Sequence, residues 1–496
     1  MKIFETLLVC AFFLAYILIG VYFNRKALDN RSDFYVASGK VNLPINTLAT
    51  FAAFASGGSF LGSIGVAYSF SLSYIWSAIV GSVSGFIIAS VLVAPYLSSM
   101  KLNSLVDFFK ERYNNWKVLR IVGGAIVVVA FTLYLVSQYK AAGITAEYLL
   151  GWDYVWTLLL VTIIFVFYTS IGGMWAVTMT EAIQAVLMFI FMILLPIFAV
   201  INLGGPAKMI SKAIEISPNW SALGVPLTTA IGFALVWTFT VSCFPHISMR
   251  ILASKSSNVA QKTMGYTGLL YGIFCLVGFI GVSAAALNLF PIGTEQALKD
   301  PDYAYIAVME QYFPPVLQGF ATAAIIAAVL STTSGLLLAI SVAVSNDIWS
   351  SIFPNTKEKT VLRIGKISIF VAGIVSALFA LNPPALLVIL YSQATAMMTS
   401  GFFGPLVLGI WWKKATKQGA LANMIVGSGG FIVLYALNSL KVIALPTFAE
   451  FLIALPLGLI ANIIVSNATF NAASSESQEM IHKMDEVHKN AQSVVG

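Results

Sequence analysis

Apolar residues in this chain come in long blocks, divided by short clusters of charged residues, Gly and Pro. About twenty residues of helix, at about 1.5 Å each, match the roughly 30 Å hydrocarbon layer of a bilayer. Thirteen blocks are predicted as spanning helices, numbered as spans 1 to 13 in chain order: 4–23, 43–68, 72–96, 118–150, 154–171, 178–203, 226–247, 264–289, 314–348, 362–381, 385–412, 420–438 and 446–466. Span 1 is longer than a signal-peptide core, and Arg25 and Lys26 follow it instead of preceding it. It reads as a retained helix with its N-terminus outside. The predicted fold class is therefore an all-α polytopic membrane protein. Residues 1–470 form one transmembrane domain, with 420–466 as two C-terminal helices and 471–496 as a polar cytoplasmic tail. The segment Ser104–Tyr113 is amphipathic, and is expected to lie on the inner membrane surface as an interfacial anchor.

Composition sharpens this picture. Of 496 residues, 59% are hydrophobic and 9% charged, against about 25% charged in soluble domains. The bilayer has to be the solvent. Of the 27 Lys and Arg, 21 fall in loops on one side of the predicted spans, five on the other, and Lys140 inside a span. That bias puts the C-terminus in the cytoplasm and the chain in the plasma membrane as a multi-pass protein. The net charge of +7 is no nucleic-acid signal, because the basic residues sit in short loops. Cys10, Cys243 and Cys275 are scattered in apolar stretches without a metal spacing. Only His246 among the three histidines lies near the membrane core, and it supplies neither a nucleophile nor a metal set, so no enzyme is expected.

Two spans carry breaks. Span 2 contains Ala55-Ser56-Gly57-Gly58-Ser59, a poor helix and a good interruption; span 7 contains Ser242-Cys243-Phe244-Pro245-His246, where the proline frees a backbone carbonyl. If spans 2–6 (43–203) and 7–11 (226–412) are two five-helix repeats, both breaks fall on the first helix of a repeat, as in transporters built from inverted repeats. The alternative is a pair of packing kinks. Irregular backbone at membrane depth survives where it lines a cavity or is buried in protein, and freed carbonyls are hard oxygen ligands for sodium. In span 9, Ala328, Ser331 and Thr332 stand at i, i+3 and i+4, on one helix face. Two hydroxyls and a carbonyl from that face could meet two carbonyls from the break in span 2. The alternative is that Ser331-Thr332-Thr333-Ser334 bond back to their own helix.

At these residues the chain resembles the sodium:solute symporter family, over about 20–420. The motifs are Asp33-Phe34-Tyr35 with Gly39, Ser59-Phe60-Leu61-Gly62, and Gly172-Gly173 with Ala176, Thr180-Glu181 and Ile183-Gln184. They continue with Pro245-His246-Ile247 and Arg250, Ala328-Val329-Leu330-Ser331-Thr332, Asn346-Asp347-Ile348, and Trp412-Lys413 with Thr416 and Gly419-Ala420. The resemblance implies a five-plus-five inverted-repeat core and sodium as coupling ion. It puts the sodium site on the carbonyls of Ala52, Ala55 and Ala328 and the hydroxyls of Ser331 and Thr332. It also implies that Glu181, where relatives usually carry Asp, assists sodium release to the cytoplasm; a solvated loop-end charge is the alternative. One departure counts against proline as solute: Phe54 stands where proline symporters carry an Asp before the break. Candidate solute contacts are Ser56, Gly57 and Gly58 at the break, Gln138 and Lys140 in span 4, and Trp237 and Val241 in span 7. Trp237 is otherwise a packing tryptophan.

Lys140 lies about ten residues before the turn Gly151-Trp152-Asp153, about 15 Å deep. A charge at that depth is expensive and normally functional. It binds a carboxylate solute, pairs with an acid such as Glu147, or snorkels to the outer surface. The expected function is sodium-coupled symport of a small organic solute, with acetate-like monocarboxylates first and pantothenate or proline next. Proton coupling and a transporter-like membrane sensor are the rivals. The neutral hydroxyl-and-carbonyl site favours sodium over protons, and the short tail leaves no room for a signalling module. Sodium, the solute and the bilayer are the expected partners, with no nucleic acid and no protein partner evident.

Overall fold

The computed structural model describes residues 31–147, 151–382 and 387–495, with scattered positions between 7 and 22. Span 1, with Arg25 and Lys26 behind it, therefore lies largely outside the described residues. Helix is the regular structure throughout them, apart from a single bridge between Val41 and Ser254. Among the described residues, ten helices are long and apolar enough to cross a membrane, or eleven if the bent pair Leu43–Phe54 and Gly58–Ser69 counts as one span.

The predicted spans mostly reappear with shifted ends. Spans 3 and 4 run Leu72–Ser99 and Lys117–Thr145, and span 8 begins earlier than expected, at Ser257. There Ser256 caps the helix by accepting a hydrogen bond from the Val259 N–H. Span 9 extends over Pro315–Ile352, spans 10 and 11 over Glu358–Ala380 and Leu387–Trp411, and spans 12 and 13 over Lys417–Ser439 and Ala449–Thr469. Spans 5 and 6 form one helical run, Tyr154–Asn202, interrupted at Gly173 (φ 53°, ψ −160°). The Tyr168 hydroxyl reaches the Ala176 carbonyl at 3.1 Å and the Thr180 hydroxyl. Twelve residues of straight helix would hold Tyr168 and Thr180 about 18 Å apart. The chain turns back at Gly173, whose backbone conformation only glycine adopts cheaply.

Span 9 is the buried centre, its most apolar stretch enclosed entirely by protein. It packs against the 154–202 run and against spans 4 and 10. Span 3 packs along span 7 so closely that a Cβ on Gly81 or Gly85 would strike the backbone of Ala234 or Trp237, the small-residue contact that membrane helices use.

Two expectations change outside the spans. Leu105–Arg112 is not an anchor on lipid: Leu105, Phe108, Phe109 and Tyr113 are buried in protein, Arg112 donates to the Gly409 carbonyl at 2.7 Å, and Tyr113 donates to the Pro405 carbonyl at 2.7 Å. An amphipathic pattern reads the same whether its apolar face meets lipid or the end of another helix. The tail is also helical, over Ser475–Val495. Lys413–Asp485 (2.9 Å), Lys417–Glu476 (2.6 Å) and Lys483–Glu111 pairs tie it to the ends of spans 11 and 12 and to the 105–112 helix.

Candidate functional site

Span 2 stops at Ala55, which leaves the helical region (φ −75°, ψ 77°), and resumes at Gly58 with a wide π-type turn, bent by 58°. In an unbroken helix the Ser56 N–H would bond the Ala52 carbonyl. Here it bonds Phe54 instead, leaving the Ala52 carbonyl without its helical donor, and the break does the same for Ala53. Both oxygens are met from span 9. Ser331 donates to the Ala52 carbonyl at 2.8 Å and lies 2.9 Å from the Ala328 carbonyl, and Thr332 donates to the Ala53 carbonyl at 3.1 Å.

The neighbouring hydroxyls behave differently. Thr333 bonds back to Val329 at 2.7 Å and Ser334 to Leu330 at 2.9 Å. Thr333 and Ser334 thus bond only within their own helix, whereas Ser331, which also bonds back to Ala328, and Thr332 reach across to span 2. Buried, uncharged hydroxyls of span 9 thus meet the freed carbonyls of span 2, the kind of hard oxygen donors a cation stripped of water needs. The Ala53 carbonyl was not among the sequence candidates, which named Ala55 instead; the break signal was there, but not which carbonyls it would free.

The residues proposed for the solute gather around the same break. Gly57 and Gly58 are needed for space: a Cβ on Gly57 would lie 2.5 Å from Val329 Cγ2 and 3.4 Å from Gln138 Oε1, and one on Gly58 would lie 2.3 Å from the Tyr391 ring. Ser56 lies in hydrogen-bonding reach of the Tyr134 hydroxyl. Tyr134 stacks on Tyr391 (5.0 Å) and faces Phe244 (6.1 Å). Trp237 completes the group, 5.4 Å from Phe54 and 5.7 Å from Tyr391 between ring centroids. Phe54, where proline symporters carry an Asp, is therefore one wall of an aromatic cage. Tyr134 and Tyr391 were absent from the sequence reading, and Phe244 figured there only as part of the span 7 break, because aromatics in apolar spans give no periodic signal that separates cage from core.

Span 7 breaks at Phe244 (φ −88°, ψ 110°), and a second helix, Pro245–Ala253, extends it beyond the expected end at 247. Proline at the first position of a helix lacks an N–H that would have had no partner. By the same token the Val241 carbonyl has no helical donor. The Val241 side chain packs toward Gly85 of span 3.

Two buried ion pairs flank this centre. Glu181 is fully buried and paired with Arg250, which also donates to the Thr178 hydroxyl at 2.7 Å, so the solvated loop-end reading of Glu181 does not hold. The partner was hidden in sequence because it lies in another span. Lys140 donates to the buried Asp302 carboxylate at 2.9 Å and lies 4.0 Å from Asp300. Its acid partners come from the loop between spans 8 and 9, not from Glu147, which sequence proximity favoured.

The profile of the sodium:solute symporter family matches residues 34–427. The chain belongs to the sodium:solute symporter family. As a member of the family it is a multi-pass plasma-membrane transporter with sodium as its coupling ion, and not an enzyme. A curated relative, the sodium/proline symporter of Staphylococcus aureus, is 32% identical over 454 residues, covering 88% of this chain and 86% of that one. Among solved structures, a Na+-coupled sialic acid symporter in a substrate-bound outward-open state is similar with a TM-score of 0.78 at 20% identity, covering 94% and 97% of the two chains. Mhp1, a nucleobase-cation-symport-1 family transporter in a closed conformation with bromovinylhydantoin bound, is similar with a TM-score of 0.54 at 16% identity, covering 90% and 98%. These likenesses extend the fold beyond the family.

Proposed function

We propose that this sodium:solute symporter family member carries a small carboxylate-bearing solute into the cell together with sodium. The observation that carries the reading is the uncharged oxygen cluster formed where Ser331 and Thr332 meet the freed carbonyls of span 2. In this reading the ion is held by the carbonyls of Ala52, Ala55 and Ala328 and the hydroxyls of Ser331 and Thr332, with the Ala53 carbonyl, bonded to Thr332, at the edge of the site. Glu181 receives it on the way to the cytoplasm, with Arg250 as the counter-ion that must yield. The architecture is thirteen spans with the N-terminus outside, the C-terminus inside and a five-plus-five inverted repeat over 43–203 and 226–412.

The solute carboxylate faces the break at Gly57 and Gly58, at the positive N-terminal end of the helix Gly58–Ser69. Its apolar body lies among Trp237, Tyr134, Tyr391 and Phe54, with Ser56 and Gln138 as polar contacts and Val241 behind. Lys140, spent on Asp302 and Asp300, holds the loop between spans 8 and 9 over this centre and does not touch the solute. A zwitterionic amino acid such as proline is the second reading, supported by the 32% identical sodium/proline symporter.

The test is uptake of radiolabelled acetate, pyruvate, pantothenate and proline into proteoliposomes with and without a sodium gradient. Sodium-dependent accumulation of at least one carboxylate is expected, enhanced by an inside-negative potential. Uptake that persists in sodium-free buffer under a proton gradient alone overturns the coupling.

A further inference from the structure

Three spans converge on one oxygen. The Ala53 carbonyl of span 2 accepts a hydrogen bond from Thr332 of span 9 at 3.1 Å. A carbonyl has two lone pairs, and the ring of His246, two residues after the break in span 7, lies beside the same oxygen. The ring makes no well-formed hydrogen bond there, and neither of its nitrogens has another partner among the described residues, although it is buried. Buried polar groups in native proteins are nearly always satisfied, and a ring serving only to fill space would be better made of carbon.

The other side of the ring faces the cage. His246 stands edge-on to Phe244 with centroids 4.1 Å apart, and to Phe131 at 5.7 Å. Phe244 in turn touches Trp237 and Tyr134. Four residues on, along the same face of Pro245–Ala253, stands Arg250, the partner of Glu181. One short helix thus carries a contact to the sodium cluster, a contact to the cage and the counter-ion of the acid below.

We propose that His246 is the coupling residue of this transporter: it reads sodium occupancy at the Ala53 carbonyl and passes it to Phe244 and so to the aromatic cage. The inference rests on the sodium-site reading above. A sodium ion drawing on the Thr332 oxygen holds that hydroxyl against Ala53 and fixes the carbonyl. The fixed carbonyl gives the His246 N–H a stationary acceptor, and a ring so held sets the position of Phe244 against Trp237. Linkage runs both ways, so a filled cage tightens sodium.

Sodium alone is the probe, in purified protein, with two readouts. Sodium-dependent rise of the melting midpoint reports binding. The sodium-dependent change in Trp237 emission, isolated by subtracting a Trp237→Phe control, reports the cage. In the native chain both responses are expected with the same sodium midpoint. His246→Phe should keep the melting response and lose the emission change by about fivefold or more, and His246→Asn, which retains an N–H donor, should recover it. The inference is overturned if His246→Phe leaves the emission change intact, if it abolishes both responses together, or if the native cage is silent while sodium stabilises the protein. Should His246→Phe not fold, His246→Leu serves the same comparison. A native protein that sodium does not stabilise at all fails the sodium-site reading, and the inference with it.

Discussion

Spans 2 and 7 are interrupted by the same backbone device and put to different use. At each break one residue leaves the helical region, Ala55 with ψ 77° and Phe244 with ψ 110°. On the face of span 2 that meets span 9 stand Ala52 and Ala53, and hydroxyls from span 9 reach their freed carbonyls within 2.8–3.1 Å. Around Phe244 the side chains are rings, and Trp237, Tyr134 and His246 pack edge-on or face-on against it. The span 2 break leaves carbonyls open to hydroxyls from span 9, whereas the span 7 break is packed in rings. Neither carries a formal charge; the charges stand apart as Lys140–Asp302 and Glu181–Arg250.

The largest expected effect tests that separation. Lys140→Met orphans a fully buried Asp302 carboxylate, and losing one partner of a buried pair costs about 3–5 kcal/mol. The melting midpoint in detergent should fall clearly, and the double change Lys140→Met with Asp302→Asn should recover most of it. A sodium titration of the surviving protein should be unchanged; a large shift would tie the charged cluster to the ion site and break the comparison.

Next comes the span 2 break. Ser331→Ala removes a hydroxyl from the oxygen cluster, at about 1–3 kcal/mol for an unsatisfied buried partner. That corresponds to about 5- to 150-fold in the sodium concentration for half-maximal uptake, at 1.4 kcal/mol per decade. Thr332→Ala should follow in the same direction. The span 7 break should answer in the other variable: Trp237→Leu loses aromatic contacts of about 0.5–1.5 kcal/mol. Solute affinity at saturating sodium should weaken about 2- to 12-fold, with the half-saturating sodium concentration less affected. If Trp237→Leu moves sodium more than solute, the two breaks are not divided as described.

The smallest effect is the sharpest control. Thr333→Ala removes a hydroxyl next to Thr332 that is bonded back to Val329, so its sodium titration should overlay the native one. A shift for Thr333→Ala without one for Ser331→Ala would relocate the ion site.

Hydropathy alone settled that this chain lives in a membrane as a bundle of helices, because the hydrophobic signal of a span is local and needs no partner. The breaks at 55–59 and 242–246 were legible for the same reason, since Gly-Gly and Pro act on their own backbone. So was the face of span 9, because i, i+3 and i+4 share a side of any helix. What the sequence left open always involved a second element. Ser331 and Thr333 are both hydroxyl-bearing residues in one run, and only the approach of span 2 decides that the first also reaches outward while the second bonds only to its own helix. Lys140 has Glu147 two turns away on its own helix, yet its acids arrive from more than 150 residues downstream, as does the arginine that holds Glu181 from 69 residues on. The surface-anchor reading of 104–113 failed because an apolar face does not say whether lipid or protein will cover it. The aromatic cage stayed invisible because rings in an apolar span look alike until the fold brings them around one break.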